Sequence, residues 1–266
     1  MALSVLLLPA PVDADIVVII DALRFTSAAC YAMANGARSI VPFRDVEAAR
    51  AFAAAWTPTT DAPQRPLLAG ERHALKPDGF DLGNSPLEFT RDTVRGRDIA
   101  WSTTNGTRAI EVANLLGRVV SPRPPSPSHT LPQSSSLGVR DALLASPVNL
   151  KAVCSLLAPR LQEGATVAIV CSGREGGLAL EDAATAGRLV TLLRERLGDA
   201  LPVDDGARAS ASISEAYGED FARCFGDAQH GRTLRELGFG SDLEACAACD
   251  AIQVVPRWRD GRFVAG

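Results

Sequence analysis

Two stretches constrain this chain more than any others. Ile16-Val17-Val18-Ile19-Ile20 is an unbroken aliphatic run, and Thr166-Val167-Ala168-Ile169-Val170 nearly repeats it. Successive side chains of a strand point to opposite faces, so a strand with one wet face alternates apolar and polar residues. A run that does not alternate fits a strand covered on both sides, as in a sheet between helices. Other strand candidates are Ser4–Leu8, Ser39–Pro42, Leu67–Ala69, Asp98–Ser102, Arg118–Val120 and Ile252–Val255. Helical patterns fall between them. Thr26–Asn35 is Ala-rich and stops at Asn35-Gly36, and Asp45–Ala55 opens on a capping aspartate. Thr107–Leu116, Leu150–Ala158 and Leu180–Leu197 follow; in the last, Ala183, Ala186 and Gly187 are small enough for close packing. The repeated order of strand and helix predicts an α/β fold, three-layer α/β/α with a largely parallel or mixed sheet.

The length of 266 residues suits one α/β domain, with room for two subdomains. Apolar residues make up 47% and aromatic residues only 5%, which predicts an aliphatic core. The net charge of −4 argues against a general nucleic-acid binder but not against a small anionic ligand held by local arginines. The apolar residues of Met1–Val12 follow no Lys or Arg and read as a strand rather than an export signal. No run has the length of a membrane span, so the expected location is cytoplasmic, and the reading leaves room for a homo-oligomer. The six cysteines are expected to be reduced. Cys246 and Cys249 form a lone C-x-x-C in a helical run and read as small core residues. The Pro/Ser-rich segment at about 121–138, which holds His129, reads as a solvated mobile loop.

Chemistry gathers where predicted strands end, the edge at which open α/β sheets bind ligands. After Ile20 comes Asp21-Ala22-Leu23-Arg24, where Asp21 could hold a metal or attack and Arg24 could pair with a phosphate. Glu71 and Arg72 close the strand at Leu67, and the turn-rich loop that follows carries Asp81, Asn84 and Ser85. Thr103-Thr104-Asn105-Gly106-Thr107 opens a helix with hydroxyls, a glycine and outward amides, a recipe for anion binding, although it is no P-loop. Cys171-Ser172-Gly173 ends another strand, where a thiol of lowered pKa would be reactive and a buried thiol would be structural. Glu181 and Asp182 begin the next helix and offer oxygen donors suited to Mg²⁺. His230 could act as acid or base, and Arg232 could clamp an acidic group.

In order, "DALRFTSA", "GER", "GFDLGNSPLE", "TTNGTRA", "CSG" with "EDAATAG", and "HGRTLRELGFGSDLEACAACD" resemble the 2-phosphosulfolactate phosphatase family. The resemblance runs from the first strand to about Pro256, and "GFDLGNSP" and "TTNGT" are its most specific pieces. It departs in the Pro/Ser-rich stretch after Val120 and at Phe25, where the family often has a small residue. The family is linked to coenzyme M formation in methanogens and to sulfolactate production in some bacteria. The resemblance implies an α/β hydrolase that uses Mg²⁺ to convert 2-phosphosulfolactate, a small anionic phosphate ester, to 3-sulfolactate and phosphate. Its matched positions are Asp21, Arg24, Glu71, Arg72, Asp81, Asn84, Ser85, Thr103–Thr107, Cys171, Glu181, Asp182, His230 and Arg232.

Chemistry then suggests the roles. Mg²⁺ would draw on Asp21, Glu71, Asp81, Glu181 and Asp182. The Thr103–Thr107 turn, Arg24, Arg72, Asn84, Ser85 and Arg232 would hold the anionic groups. His230 would protonate the leaving alkoxide, and water, Asp21 or Cys171 would attack. Two other readings share these loops: a phosphatase for another small phosphorylated hydroxy acid, and a non-catalytic anion-binding homologue.

Overall fold

A computed structural model of the chain describes residues 2–60, 62–104, 106–112 (without the side chains of Thr107, Arg108 and Val112) and 141–266. The predicted strand Arg118–Val120, the loop at about 121–138 and Asn105 lie outside the described residues. The elements in chain order are β1 (Leu3–Leu6), β2 (Ile16–Ile20), α1 (Phe25–Ala34), β3 (Ser39–Phe43), α2 (Val46–Ala54), β4 (Leu67–Gly70), α3 (Arg91–Val94), β5 (Asp98–Ser102) and α4 (Gly106–Val112). They continue with β6 (Asp141–Ala145), α5 (Leu150–Gln162), β7 (Val167–Cys171), α6 (Leu180–Leu197), α7 (Asp205–Tyr217), α8 (Phe221–Asp227), α9 (Gln229–Glu236), α10 (Gly240–Cys246), β8 (Pro256–Arg259) and β9 (Arg262–Ala265).

The non-alternating run behaves as its composition requires. All five residues of β2 are buried. Ile16, Val18 and Ile20 pack with Leu150, Val153 and Leu157 of α5 and Leu189 of α6, while Val17 and Ile19 pack with Ala28, Ala32 and Met33 of α1. One strand therefore feeds two cores on opposite faces, which is the three-layer α/β/α arrangement. The sheet is mixed and nine-stranded, in the order β1-β7-β2-β6-β8-β9-β3-β5-β4. The first four strands are mutually parallel, as are the last three. The β8–β9 hairpin joins the two groups through antiparallel pairings on both flanks. The sheet curls enough for the groups to share a core: the Phe25 ring at the start of α1 stands 5.3 Å from Trp101 of β5.

Several boundaries differ from the sequence expectation. Ile252–Val255 is not a strand, and pairing begins at Pro256. The hairpin turns at Asp260-Gly261, both with positive φ (47° and 84°), the geometry of a tight two-residue turn. The C-x-x-C does not share one helical face, because α10 ends at Cys246, which is buried, and Cys249 lies beyond it, exposed. Among the described residues no helix is long and apolar enough to cross a membrane.

Candidate active site

The site begins with the turn after β2. The Thr26 hydroxyl donates to the Asp21 carbonyl at 2.9 Å and accepts from the Asp21 amide at 3.2 Å, and Ser27 donates to the Ala22 carbonyl at 2.7 Å. These bonds fix the turn, and among the described residues the Asp21 carboxylate keeps one weak donor, the Phe25 amide at 3.3 Å. The start of α4 crowds the same carboxylate. A Cβ on Gly106 would lie 2.6 Å from the Phe25 ring and 3.0 Å from Asp21 Oδ2, so only glycine fits there.

Asp182 ties the ends of β2 and β7 together. It accepts from the Ala22 amide at 2.8 Å and from the Gly173 amide at 3.1 Å. Glu181, buried beside it, faces His230 of α9 with Oε1 3.6 Å from Nδ1. Glu71, just past β4, completes the group. Its carboxylate accepts from the Thr104 amide at 2.8 Å, from the Thr103 hydroxyl at 3.4 Å and from the Ala74 amide at 3.0 Å. The donor-rich turn after β5 thus serves an anion, and that anion is the protein's own Glu71.

The electrostatics divide these acids. Burial first, then Glu71 and Glu181, push Asp21 up to about 8, against the smaller opposing pulls of the Phe25 amide and Arg24. Burial, Asp21 and Glu181 raise Asp182 well above the ordinary carboxylate range, despite its two backbone bonds. Burial also acts to raise Glu71, but the amides of Thr104 and Ala74, the Thr104 side chain and the charge of Arg72 together outweigh it and hold the group below its usual value. Among the described residues no Lys or Arg is paired with Asp21 or Asp182. Arg24 is nearest in sequence, yet it is committed elsewhere: Nη1 donates to Asp242 at 2.7 Å, Nη2 to the Ala74 carbonyl at 2.6 Å, and the guanidinium lies 4.4 Å from the Phe239 ring centre. The expectation that Arg24 meets a phosphate is corrected accordingly, since both of its forks are occupied inside the protein.

Other expected residues also prove to be engaged. Asp81 sits beside the start of β4, at the other end of that strand from Glu71. It is paired bidentately with Arg65 at 2.8 Å on both arms and accepts from the Leu68 amide. Asn84 accepts from Trp101 Nε1 at 2.7 Å, and Ser85 donates to Asp242 at 2.6 Å. Arg72 donates to the Glu71 carbonyl and to the Ser102 hydroxyl, bracing the ends of β4 and β5. Arg232 is exposed and bonds the Asp227 carbonyl. It is two residues from His230 on α9, and a step of two places residues on opposite sides of a helix. The reactive-thiol reading of Cys171 is likewise corrected: the thiol is fully buried, and burial with Asp182 and Glu181 pushes its pKa well up, against thiolate formation. Asn105 and the side chain of Thr107 lie outside the described residues.

Sequence reasoning overlooked Asp242. It is 1% exposed and binds both Arg24 and Ser85, but it lies in an ordinary helical run with nothing local to mark it. Ser172 is a second omission. It is buried between Cys171 and Gly173, and its hydroxyl has no partner among the described residues. An orphan hydroxyl next to under-neutralised carboxylates fits a site that takes up a polar guest. Oxygen donors with unmet negative charge are also the chemistry that Mg²⁺ requires. Among the described residues, however, no three His, Cys, Asp or Glu side chains are arranged to ligate one metal ion as they stand.

Carboxylates buried at the carboxyl ends of parallel strands, beside a histidine and, among the described residues, without arginine partners, define an α/β protein with an enzyme-like acidic site. Comparison with known proteins narrows the class. The family model described as 2-phosphosulpholactate phosphatase matches residues 7–121 and 130–261. A "Probable 2-phosphosulfolactate phosphatase" of Pseudothermotoga lettingae is 35% identical over 264 residues, covering 98% of both chains. Proteins of the same name from Parasynechococcus marenigrum and Gloeobacter violaceus are each 36% identical, covering 94% and 91% of this chain and 91% and 88% of their own. This chain belongs to the 2-phosphosulfolactate phosphatase family.

Proposed function

We propose that the chain is a Mg²⁺-dependent phosphoric monoester hydrolase that cleaves 2-phosphosulfolactate to 3-sulfolactate and phosphate. The observation that carries this reading is the convergence of Asp21, Glu181 and Asp182 at the ends of β2 and β7, buried and, among the described residues, without a Lys or Arg partner, in a chain of this family. Asp21, Glu71, Glu181 and Asp182 are the residues that would hold Mg²⁺, which when bound supplies positive charge to the phosphoryl oxygens. Asp81 leaves the proposed set because Arg65 occupies it.

The protein's own groups account for the rest. The Phe25 ring and the close approach of Gly106 wall off one side of Asp21 and limit water there. His230 lies against Glu181 through Nδ1, so Nε2 is the atom placed to give a proton to the departing alkoxide, with Glu181 steadying the ring. The Ser172 hydroxyl offers a donor or acceptor to the bound ester. Asp21 and water remain the candidate nucleophiles, since Cys171 is held as a neutral thiol.

The test is phosphate release from 2-phosphosulfolactate, with and without EDTA, beside a panel of phosphorylated hydroxy acids. The reading expects a preference for the sulfonated ester and loss of turnover with chelator. Full turnover in EDTA would remove Mg²⁺ from the account, and an equal rate on the unsulfonated esters would remove the substrate.

A further inference from the structure

The Arg24–Asp242 pair lies outside the acid cluster, yet it reaches it. Both side chains are 2% exposed, so the two charges neutralise each other inside the protein. Asp242 uses its second oxygen for Ser85, in the loop that follows Gly79, and so joins α10 to that loop. Arg24 uses its second arm for the Ala74 carbonyl. The amide of that same residue, Ala74, donates to Glu71 Oε2. His73 and Ala74 both have left-handed backbone, φ 52° and 65°, a region that non-glycine residues seldom occupy. The turn closes on itself through the reciprocal bonds between Arg72 and Leu75. A disfavoured turn persists only where its surroundings hold it. Here the holding contacts on Ala74 are Arg24 on its carbonyl and Glu71 on its amide.

We propose that Asp242 is a positioning residue: it fixes Arg24, and Arg24, by clamping the 71–75 turn, sets the position of the Glu71 carboxylate within the acidic site. The assignment rests on the phosphatase reading only for its effect on turnover. The geometry itself is a claim about the free protein.

Two variants test it. Arg24→Met with Asp242→Leu removes both charges together, so that no lone buried charge remains. Arg24→Lys keeps the charge opposite Asp242 but cannot also fork to the Ala74 carbonyl, and it serves should the first variant fail to fold. Amide exchange followed by mass spectrometry on the full chain, without ligand, is expected to run at least ~10-fold faster across residues 71–75 in each folded variant, with the strands unchanged. Unchanged exchange in that segment would overturn the proposal. In turnover, Arg24→Lys is expected to lower kcat by roughly 10-fold or more, but by less than about twofold when added to Glu71→Gln, because both changes act through one carboxylate. Effects that multiply in full would also overturn it. A wild-type protein that releases no phosphate from 2-phosphosulfolactate would defeat the substrate reading alone, while the exchange data would still decide the role of the Arg24–Asp242 pair.

Discussion

The two edges of the sheet treat carboxylates in opposite ways. At the amino edge each buried acid has its own arginine. Asp98 at the start of β5 is bound by Arg38 and Ser39, and Asp141 at the start of β6 by Arg257 and Arg259. Asp81, half-buried near the start of β4, likewise has Arg65. At the carboxyl edge Asp21, Glu181 and Asp182 are gathered with no arginine paired to them among the described residues, and Arg24 is turned away to Asp242. Acids of the first kind hold strands together. Acids of the second kind raise the energy of the folded protein and are expected to serve a bound guest.

The sharpest way to break this contrast is Asp21→Asn. Phosphate release is expected to fall by roughly 10³-fold, while stability gains at alkaline pH. Asp21 has a folded-state pKa raised to about 8 from 3.8. Its favourable contribution is therefore complete below about pH 4 and is lost as pH rises through 8. Melting temperatures between pH 5 and 8.5 are expected to fall more steeply for wild type than for Asp21→Asn, and parallel curves would show that Asp21 is not held protonated. His230→Ala comes next. Turnover of alkyl phosphate esters is expected to drop about 10²-fold, and much less for an aryl ester whose leaving group needs no proton. An equal drop for both would remove the acid role.

The amino edge is expected to respond in stability alone. Arg38→Ala takes the guanidinium from Asp98, a residue that is 2% exposed. Unfolding in urea is expected to show a loss of about 1–3 kcal/mol, with kcat within twofold of wild type. A large change in kcat with stability intact would contradict the division. The smallest effect is expected for Cys171→Ser, because burial and the neighbouring acids keep the thiol neutral. A loss of turnover beyond about 10-fold in a folded variant would restore the thiol as a nucleophile.

Much of the fold was legible because local signals agreed with it. The span of α6 was readable to the residue, and the Asp45 side chain caps α2 by accepting from the Ala48 amide at 2.7 Å. The C-terminal hairpin was harder. Its Asp260-Gly261 turn is a proper hairpin signal, but the charged Arg257, Arg259 and Arg262 break the apolar pattern, and the apolar Ile252–Val255 just before it drew the strand assignment instead. β6 was missed beside the long Pro/Ser-rich segment that precedes it. At the site, Asp21, Glu71, Glu181, Asp182 and His230 were readable from their place after strands or in the matched motifs. What the sequence concealed was pairing over distance. Nothing near Arg24 announces Asp242, which lies 218 residues away, or says that a buried arginine next to a candidate acid already has its partner. Helical phase explains the separation of His230 from Arg232, and burial explains Cys171.

The central hairpin has a kinetic consequence. Among the described residues, β6 and β3 are bridged in the sheet only by β8 and β9, residues 256–265. The two parallel groups can each begin to pair earlier, but their union must wait for this late segment, with a high cost in loop closure. Pulse-labelled exchange during refolding is expected to show β2–β7 pairing protected before β3–β9, and simultaneous protection would argue that the sheet closes in one step.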